Sequence, residues 1–417
     1  MKNKFLSCML ALCFFLSFIV NAASVYIIPS QAYILEQYET MLNQCVSYDN
    51  TRSLIQQEYP AAYGGAYLGD DGLLHVNLTN TDKSVVSTYK NSVDASVVKF
   101  HKVTYSLEYL IDVHDLLVDH MLDLHISAVS VSQTDNIVTI EVLSEEDIAP
   151  IKALLNGEQI DEGCYEIVIV EGVSVACTDV VLQDENLTTN SSENNTYSTS
   201  STRYFRPGDP VYHWDYGYAV TYATQCFNAY KYVNNTKVYG FVTAAHFWYN
   251  KTTAGDAINQ LSTSSQASTN FTVDGTFIPF NSNAYGVTGR IYYQLYNADN
   301  SISHYYSDST STTLENLDCI AFGKTSGQTN IEITKSIHTY TLTNTSTNTS
   351  YSITGFKTSY YAQNGDSGGP VVYENTSGKY TLLGMTSATN VANNYSSCVR
   401  AVDIITALGL TICGGSN

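Results

Sequence analysis

Positive charge is scarce in this chain of 417 residues. It holds 19 Lys and Arg side chains against 39 Asp and Glu, a formal net charge of −20 at pH 7. Proteins that bind nucleic acid neutralise its phosphates with basic side chains, so this balance excludes nucleic acid as an expected partner. The deficit is uneven: residues 1–202 carry 8 basic and 27 acidic side chains, and residues 203–417 carry 11 and 12. The two stretches, at −19 and −1, are therefore predicted to have different roles.

Long apolar runs are missing after residue 23, so no later segment is expected to cross a membrane. The run Phe5–Val20 follows Lys2 and Lys4 and is followed by small residues that end at Ala23. A basic start, an apolar stretch and a small-residue exit predict a secretory signal peptide over residues 1–23. A membrane anchor is the alternative, although the run is short for a span. The expectation is a secreted, extracellular protein, with Asn-x-Ser/Thr sites open to glycosylation in a eukaryotic host.

The most informative motif is the glycine-rich run Asn364–Pro370. A serine that attacks an acyl carbon needs backbone N–H groups directed at the developing oxyanion, and glycines allow the tight turn that presents them. Ser367 is therefore predicted to be a nucleophile, with the N–H groups of Gly365 and Ser367 as its oxyanion hole. An ordinary glycine-rich turn is the alternative interpretation.

Two upstream motifs supply candidate partners for Ser367. Phe241–His246 is an apolar, β-prone run that ends in small residues and a histidine, a setting that suits a general base. Leu317–Phe322 places Asp318 in an apolar run, and a buried aspartate is costly unless it is paired, for example with an imidazole. The order His246, Asp318, Ser367 is that of the chymotrypsin type of triad, and lipases and esterases place the serine first.

These three motifs resemble those of the chymotrypsin-like serine proteases, especially the streptogrisin and α-lytic-type branch. The resemblance covers residues 204–413 and implies an all-β double barrel that hydrolyses peptides or proteins without a metal or organic cofactor. It also implies that Ser387 supports Asp318, and that residues 387–389 pair with the substrate backbone as a strand.

The same resemblance assigns a primary specificity pocket for the substrate residue P1, whose carbonyl is attacked. It places Tyr361 and Ala362 at the pocket floor and Ala388 and Thr389 along its wall. No Asp or Glu occupies residues 359–363 or 384–392 to pair with a basic substrate side chain, so cleavage after Lys or Arg is not expected. A β-branched Thr389 at the mouth predicts small or medium apolar P1 residues.

Residues 24–182 show mixed helical and strand patterns. Helices are predicted over residues 107–121 and 145–155, and strands over 126–131, 137–142 and 165–170. This pattern resembles the pro-region of α-lytic-type proteases, which implies an intramolecular chaperone and inhibitor. The expected fold is thus an all-β, chymotrypsin-like double barrel preceded by a small α+β pro-domain.

Between these parts, residues 183–203 form a polar, low-complexity linker that is predicted to contain the processing site. The catalytic domain is assigned to residues 204–417, with strand-like runs that include residues 286–295. Because no dibasic pair precedes Arg206, we expect autocatalytic release near Phe205.

The sequence leaves two further points open. In an exported protein Cys226, Cys319, Cys398 and Cys413 are expected to pair as disulfides, with undetermined connectivity. The alternative to an endopeptidase is a catalytically inactive, protease-like binding protein.

Overall fold

The structure is a computed structural model that describes residues 29–47, 52–176, 179–180, 207–215, 218–248, 253–255, 260–263, 267–280, 313–344, 349–374, 376 and 380–413. The predicted signal peptide, the linker over 183–203 and the strand over 286–295 lie outside these residues. No helix of the described part is long and apolar enough to cross a membrane.

The first part of the chain is a mixture of helices and strands. Its helices are α1 (Gln31–Cys45), α2 (Lys83–Lys90), α3 (Leu107–Asp119) and α4 (Ile148–Gly157), with short 3₁₀ turns at Leu54–Gln56, Glu145–Asp147 and Glu162–Cys164. Its strands are β1 (Tyr63–Leu68), β2 (Leu74–Leu78), β3 (Val98–Lys102), β4 (Ile126–Ser132), β5 (Ile137–Val142), β6 (Tyr165–Ile169), β7 (Val175–Ala176) and β8 (Asp179–Val180).

Sequence patterning accounts for the central elements of this region. Helix α3 starts where the Ser106 hydroxyl accepts a hydrogen bond from the Tyr109 N–H, and it buries Leu107, Leu110 and Ile111 at helical spacing. The predicted strands of the β4–β5 hairpin are confirmed, and β6 pairs parallel with β5. The second predicted helix begins three residues late, at Ile148, because Glu145–Asp147 form a 3₁₀ turn.

The second part is almost entirely β-structure. Its elements are β9 (Pro210–Asp215), β10 (Tyr218–Thr224), β11 (Phe227–Val233), β12 (Thr236–Ala244), α5 (Ala245–Trp248), β13 (Thr253–Gly255), β14 (Gln260–Thr263), β15 (Ser268–Asn270), a 3₁₀ turn (Phe271–Val273), β16 (Gly275–Pro279), β17 (Asp318–Gly323), β18 (Gly327–Asn344), β19 (Thr349–Thr358), β20 (Pro370–Glu374), β21 (Tyr380–Asn390), β22 (Tyr395–Arg400), α6 (Ala401–Leu408) and β23 (Thr411–Ile412).

These strands form two β-units. In the first unit, sheet β14-β13-β9-β10-β8 packs against sheet β15-β16-β12-β11-β23 around Val211, Phe241 and Ile278. In the second unit, six strands follow the order β17-β20-β21-β22-β19-β18, and pairing of β17 with β18 closes the ring. The predicted all-β double barrel, preceded by a small α+β region, is confirmed.

The α+β region continues the sheet of the second unit. Strand β4 pairs antiparallel with β18, from Val131 opposite Ile337 to Ala128 opposite Tyr340. One apolar core joins Leu110 of α3 to Phe356 of β19. The first part of the chain is therefore packed directly against the second β-unit.

The expected disulfides are not formed. Cys226, Cys319, Cys398 and Cys413 are buried and form no disulfide in the described part of the chain, which corrects the predicted pairing. The Cys226 thiol lies 3.8 Å from the Gly384 carbonyl oxygen, and burial raises its pKa well above the usual value. These cysteines act as small apolar core residues in this structure.

Candidate active site

His246 lies in the short helix α5, which directly follows β12 in the first β-unit. Its Nε2 lies 2.9 Å from the Ser367 hydroxyl, which confirms the predicted juxtaposition of these two side chains. On the other side of the ring, Nδ1 lies 2.7 Å from Oδ2 of Asp274. The imidazole is almost fully buried, with 6 % of its side chain exposed. One ring therefore links a buried carboxylate to a serine hydroxyl.

The prediction that Asp318 is the carboxylate partner of His246 was wrong. Asp318 is exposed at the start of β17, where its Oδ2 accepts a hydrogen bond of 2.7 Å from the Gln31 amide. The physical reason is strand alternation: Cys319 and Ala321 point into the core, so Asp318 points outward. The prediction recognised an apolar run around the aspartate but assigned the wrong face.

Asp274 takes the place that was predicted for Asp318. It precedes β16, and the register that puts Gly275 opposite Ala244 brings it beside His246. Its carboxylate is fully buried, and Oδ1 accepts a hydrogen bond of 3.0 Å from the His246 N–H. The Ser387 hydroxyl donates to Oδ2 at 2.5 Å, so Ser387 supports Asp274 instead of Asp318. The sequence signal was an Asp-Gly pair at the start of an apolar run, but only the strand register makes it meaningful.

The loop before Ser367 has the backbone shape that the glycine motif predicted. Gly365 has φ +97°, a conformation that L side chains rarely adopt. Gly368 has φ +89°, and a Cβ there would collide with the Thr224 carbonyl oxygen and the Thr243 hydroxyl. Within the described residues the N–H groups of Gly365 and Ser367 donate no hydrogen bond, so both are free to bind an oxyanion.

Asp366 holds this loop in place, a role that the sequence analysis missed. It is fully buried, and its carboxylate accepts hydrogen bonds from the N–H groups of Thr325, Ser326 and Gln363 at 2.8, 3.0 and 2.9 Å. The hydroxyls of Ser326 and Tyr360 add hydrogen bonds of 2.5 and 2.7 Å. Five donors fix one carboxylate, so the turn between Gly365 and Ser367 is set before any ligand binds.

The residues assigned to specificity fall into two groups. Ala388 and Thr389 lie in the buried strand β21, close in sequence to Ser387, and the Thr389 hydroxyl donates to the Tyr395 carbonyl oxygen at 3.0 Å. Ala362 is buried, and its N–H donates to the Ser396 hydroxyl at 2.9 Å. Tyr361 is 38 % exposed.

Residues 233–406 match the sequence model of the Trypsin family. This part of the chain is similar to the trypsin-like serine proteases. Similar solved structures include a glutamic acid specific serine protease (16 % identical, covering 50 % of this chain and 100 % of that chain, TM-score 0.37). Thermobifida fusca Protease A is 18 % identical, with 50 % of this chain and 98 % of that chain covered and a TM-score of 0.37. A Cellulomonas bogoriensis chymotrypsin is also 18 % identical, with 50 % of this chain and 97 % of that chain covered and a TM-score of 0.35. No curated protein matches the chain.

The two β-units bring together the side chains and backbone groups that acyl transfer needs. Ser367 Oγ lies 2.9 Å from a ring nitrogen of His246 and 3.0 Å from the Ser387 carbonyl oxygen. The carboxylate of Asp274 fixes the opposite ring nitrogen, and the N–H groups of Gly365 and of Ser367 itself donate no hydrogen bond within the described residues. This arrangement can activate a hydroxyl and stabilise negative charge on an attacked carbonyl oxygen.

Proposed function

We propose that this protein is a serine endopeptidase in which Ser367, His246 and Asp274 form the catalytic triad. The observation that carries the proposal is the continuous chain of hydrogen bonds from Ser387 through Asp274 and His246 to Ser367. A buried carboxylate in contact with an imidazole, itself in contact with a serine hydroxyl, is the arrangement that activates a nucleophile.

We propose a role for each group. His246 Nε2 takes the proton as Ser367 Oγ attacks the substrate carbonyl carbon, and later returns it to the leaving amine. Asp274 holds the Nδ1–H tautomer and stabilises the imidazolium that forms. The Gly365 and Ser367 N–H groups bind the oxyanion, and water then releases the acyl group from Ser367.

We further propose that the enzyme is secreted as a preproenzyme of the streptogrisin and α-lytic-type branch. The acidic α+β region, at residues 24–182, would be an intramolecular chaperone and inhibitor. The pairing of β4 with β18 supports a chaperone role, because it completes hydrogen bonds along a strand of the catalytic unit. The pairing of β7 with β21 supports an inhibitory role, because β21 carries Ala388 and Thr389.

A labelling experiment tests the proposal against the inactive binding protein. The secreted protein would be incubated with a fluorophosphonate and digested, and the labelled peptide identified by mass spectrometry. We expect the label on Ser367, and none in Ser367→Ala or His246→Ala protein of the same circular dichroism spectrum. Amide hydrolysis should fall by roughly 10⁶-fold in both variants. A folded, processed protein that leaves Ser367 unlabelled would be a binding protein and not an enzyme.

A further inference from the structure

Two histidines of the α+β region face each other across neighbouring strands. His75 of β2 and His101 of β3 lie on the same side of the sheet β1-β2-β3, opposite to the side on which Val76 and Phe100 pack into the core. Nε2 of His101 is 3.0 Å from Nδ1 of His75. Both imidazoles are partly buried, and the side chain of His75 is 14 % exposed. Two nitrogens that can each bind a cation are therefore close together and partly shielded from water.

Tyr67 of β1 brings an oxygen to the same place. It lies directly opposite His75 in the antiparallel pair of β1 and β2, and its hydroxyl oxygen is 3.2 Å from Nδ1 of His75. An imidazole nitrogen without a proton has one lone pair, so it cannot accept a full hydrogen bond from both Tyr67 and His101. Nδ1 of His75 is thus the point at which an oxygen and a second nitrogen meet.

Asp71 determines which nitrogen of His75 carries the proton. Its Oδ1 lies 3.0 Å from Nε2 of His75 and accepts the proton of that nitrogen, which leaves the lone pair on Nδ1. Burial opposes the charge of Asp71, but hydrogen bonds from Lys99, the Leu73 N–H and His75 lower its pKa to about 2. A carboxylate that holds the outer nitrogen of an imidazole in this way commonly supports a metal-bound histidine.

The charges around the Tyr67 hydroxyl favour a cation. Burial raises the pKa of Tyr67, and the negative charges of Asp71, Asp135 and Asp70 raise it further. Carboxylates that disfavour a phenolate anion favour a positive ion at the same place. Lys99 is the opposing charge, and its ion pair with Asp71, at 2.5 Å, offsets it. The surrounding charges therefore attract a cation to this cluster.

His101 is held in the form that binds a metal ion. Burial lowers its pKa, and the neighbouring His75 and Lys99 lower it further, against a smaller opposing effect of Asp71. At neutral pH the imidazole is therefore uncharged, and metal ions bind the uncharged ring. His101 can offer a lone pair without first losing a proton.

We infer that Nδ1 of His75, Nε2 of His101 and the Tyr67 hydroxyl form a binding site for a divalent transition-metal ion that prefers imidazole, such as Zn²⁺ or Cu²⁺. Bonds of about 2.0–2.1 Å at angles of about 90–109° join ligand atoms roughly 2.9–3.4 Å apart, and the distances of 3.0 and 3.2 Å fall in that range. Among the described residues no group of three or more His, Cys, Asp or Glu side chains could hold a metal ion, so the tyrosine oxygen is needed as the third ligand.

The inferred site would join the three strands of the small sheet. Tyr67 comes from β1, His75 from β2 and His101 from β3, so one ion would bind all three strands. An ion that binds only the folded sheet stabilises it by mass action. This inference goes beyond the proposed endopeptidase function, because it assigns a binding role to the α+β region that needs no catalysis.

Calorimetric titration tests the inference on the full chain. Zn²⁺ would be added to chelator-treated Ser367→Ala protein, in which proteolysis cannot complicate the measurement. We expect binding of Zn²⁺ but not of Mg²⁺. Loss of a second partner such as Asp71 weakens metal affinity about 10- to 100-fold, so Asp71→Asn should show that loss, and His75→Gln and His101→Gln at least as much.

A matched histidine variant serves as the control. His125 is exposed and contacts Asp147 at 3.3 Å, away from the cluster, so His125→Gln should leave the affinity for Zn²⁺ unchanged. Absence of Zn²⁺ binding would show that His75 and His101 only share a proton, and would overturn the inference. Equal affinities of the parent, His75→Gln and His101→Gln proteins would overturn it as well.

Spectroscopy of the Cu²⁺ form keeps the test decisive if a histidine variant does not fold. Electron paramagnetic resonance of the parent protein should show coupling to two ligand nitrogens. An absorption band for charge transfer from tyrosine to copper should disappear in Tyr67→Phe, which keeps the aromatic ring and should keep the circular dichroism spectrum. Cu²⁺ without nitrogen ligands, or an absorption spectrum that Tyr67→Phe does not change, contradicts the site.

Discussion

His246 and His338 each bridge two side chains from different parts of the molecule. His246 lies between Asp274 and Ser367, and His338 lies between Ser130 of β4 and Ser397 of β22 at 2.8 and 3.0 Å. The two imidazoles have the same number of side-chain partners but a different kind, because only His246 contacts a carboxylate.

The side-chain partners of each imidazole determine whether its protonated form is stabilised. Burial lowers the pKa of His338 well below its usual value, and the nearby Lys357 and His114 lower it further. His338 is therefore held neutral and has a structural role between the α+β region and the second β-unit. His246 can accept a proton in its buried site because Asp274 stabilises the resulting cation. The two buried histidines thus differ in one partner, the carboxylate that contacts Nδ1 of His246.

Replacement of the Asp274 carboxylate should have the largest effect on kcat. Asp274→Asn keeps the shape of the side chain but removes the charge that distinguishes His246 from His338, so kcat should fall by about 10⁴-fold. Asp318→Asn is the matched control and should leave kcat unchanged, because Asp318 contacts Gln31 at the surface. Steady-state hydrolysis of a peptide amide measures both, and the reverse ranking would restore Asp318 as the catalytic carboxylate.

Removal of the Ser387 hydroxyl, which donates to the Asp274 carboxylate, should have an intermediate effect on kcat. Ser387→Ala removes one donor from Asp274 Oδ2, while the three contacts of Asp274 with His246 remain. A hydrogen bond to a charged group is worth about 1.5–3 kcal/mol, so kcat should fall roughly 10- to 100-fold. KM should change little, since the Ser387 carbonyl oxygen is retained. A large rise in KM at constant kcat would instead give Ser387 a substrate-binding role.

The smallest expected effect is that of His338 on how the free energy of unfolding depends on pH. Because the pKa of His338 is lowered in the folded state, the unfolded chain binds the extra proton first as the pH falls below about 6.5. The free energy of unfolding should then decrease with falling pH, by at most ~1.4 kcal/mol per pH unit from this residue. Urea unfolding of Ser367→Ala protein at several pH values measures this slope. The further change His338→Gln should flatten it, and an unchanged slope would show that another group titrates.

Much of this site follows from local sequence. His246 and Ser367 were predicted because each lies in a short motif whose residue types suit its role, and the structure places them 2.9 Å apart. Ser387 was placed beside the catalytic carboxylate, although the wrong aspartate was chosen. The strands of the β4–β5 hairpin were also predicted correctly from alternation.

The remainder depends on contacts distant in sequence. Asp274 and Asp318 both border apolar runs, and only the pairing of β12 with β16 decides which one reaches His246. Asp366 could not be recognised as a loop anchor, because its donors at Thr325 and Ser326 lie 40 residues or more away. The cysteines were mispredicted because pairing depends on distances that no spacing in the sequence reveals.

The pairing of β4 with β18 has a consequence for the solubility of the second β-unit. Along residues 337–340 the backbone of β18 hydrogen-bonds to β4, and both Ile337 and Tyr340 are fully buried. Any event that separated the two parts would leave this edge of β18 without its β4 partner. Such an edge is a template for extended chains, including copies of itself, so the liberated unit will self-associate with rising concentration unless another segment covers the edge.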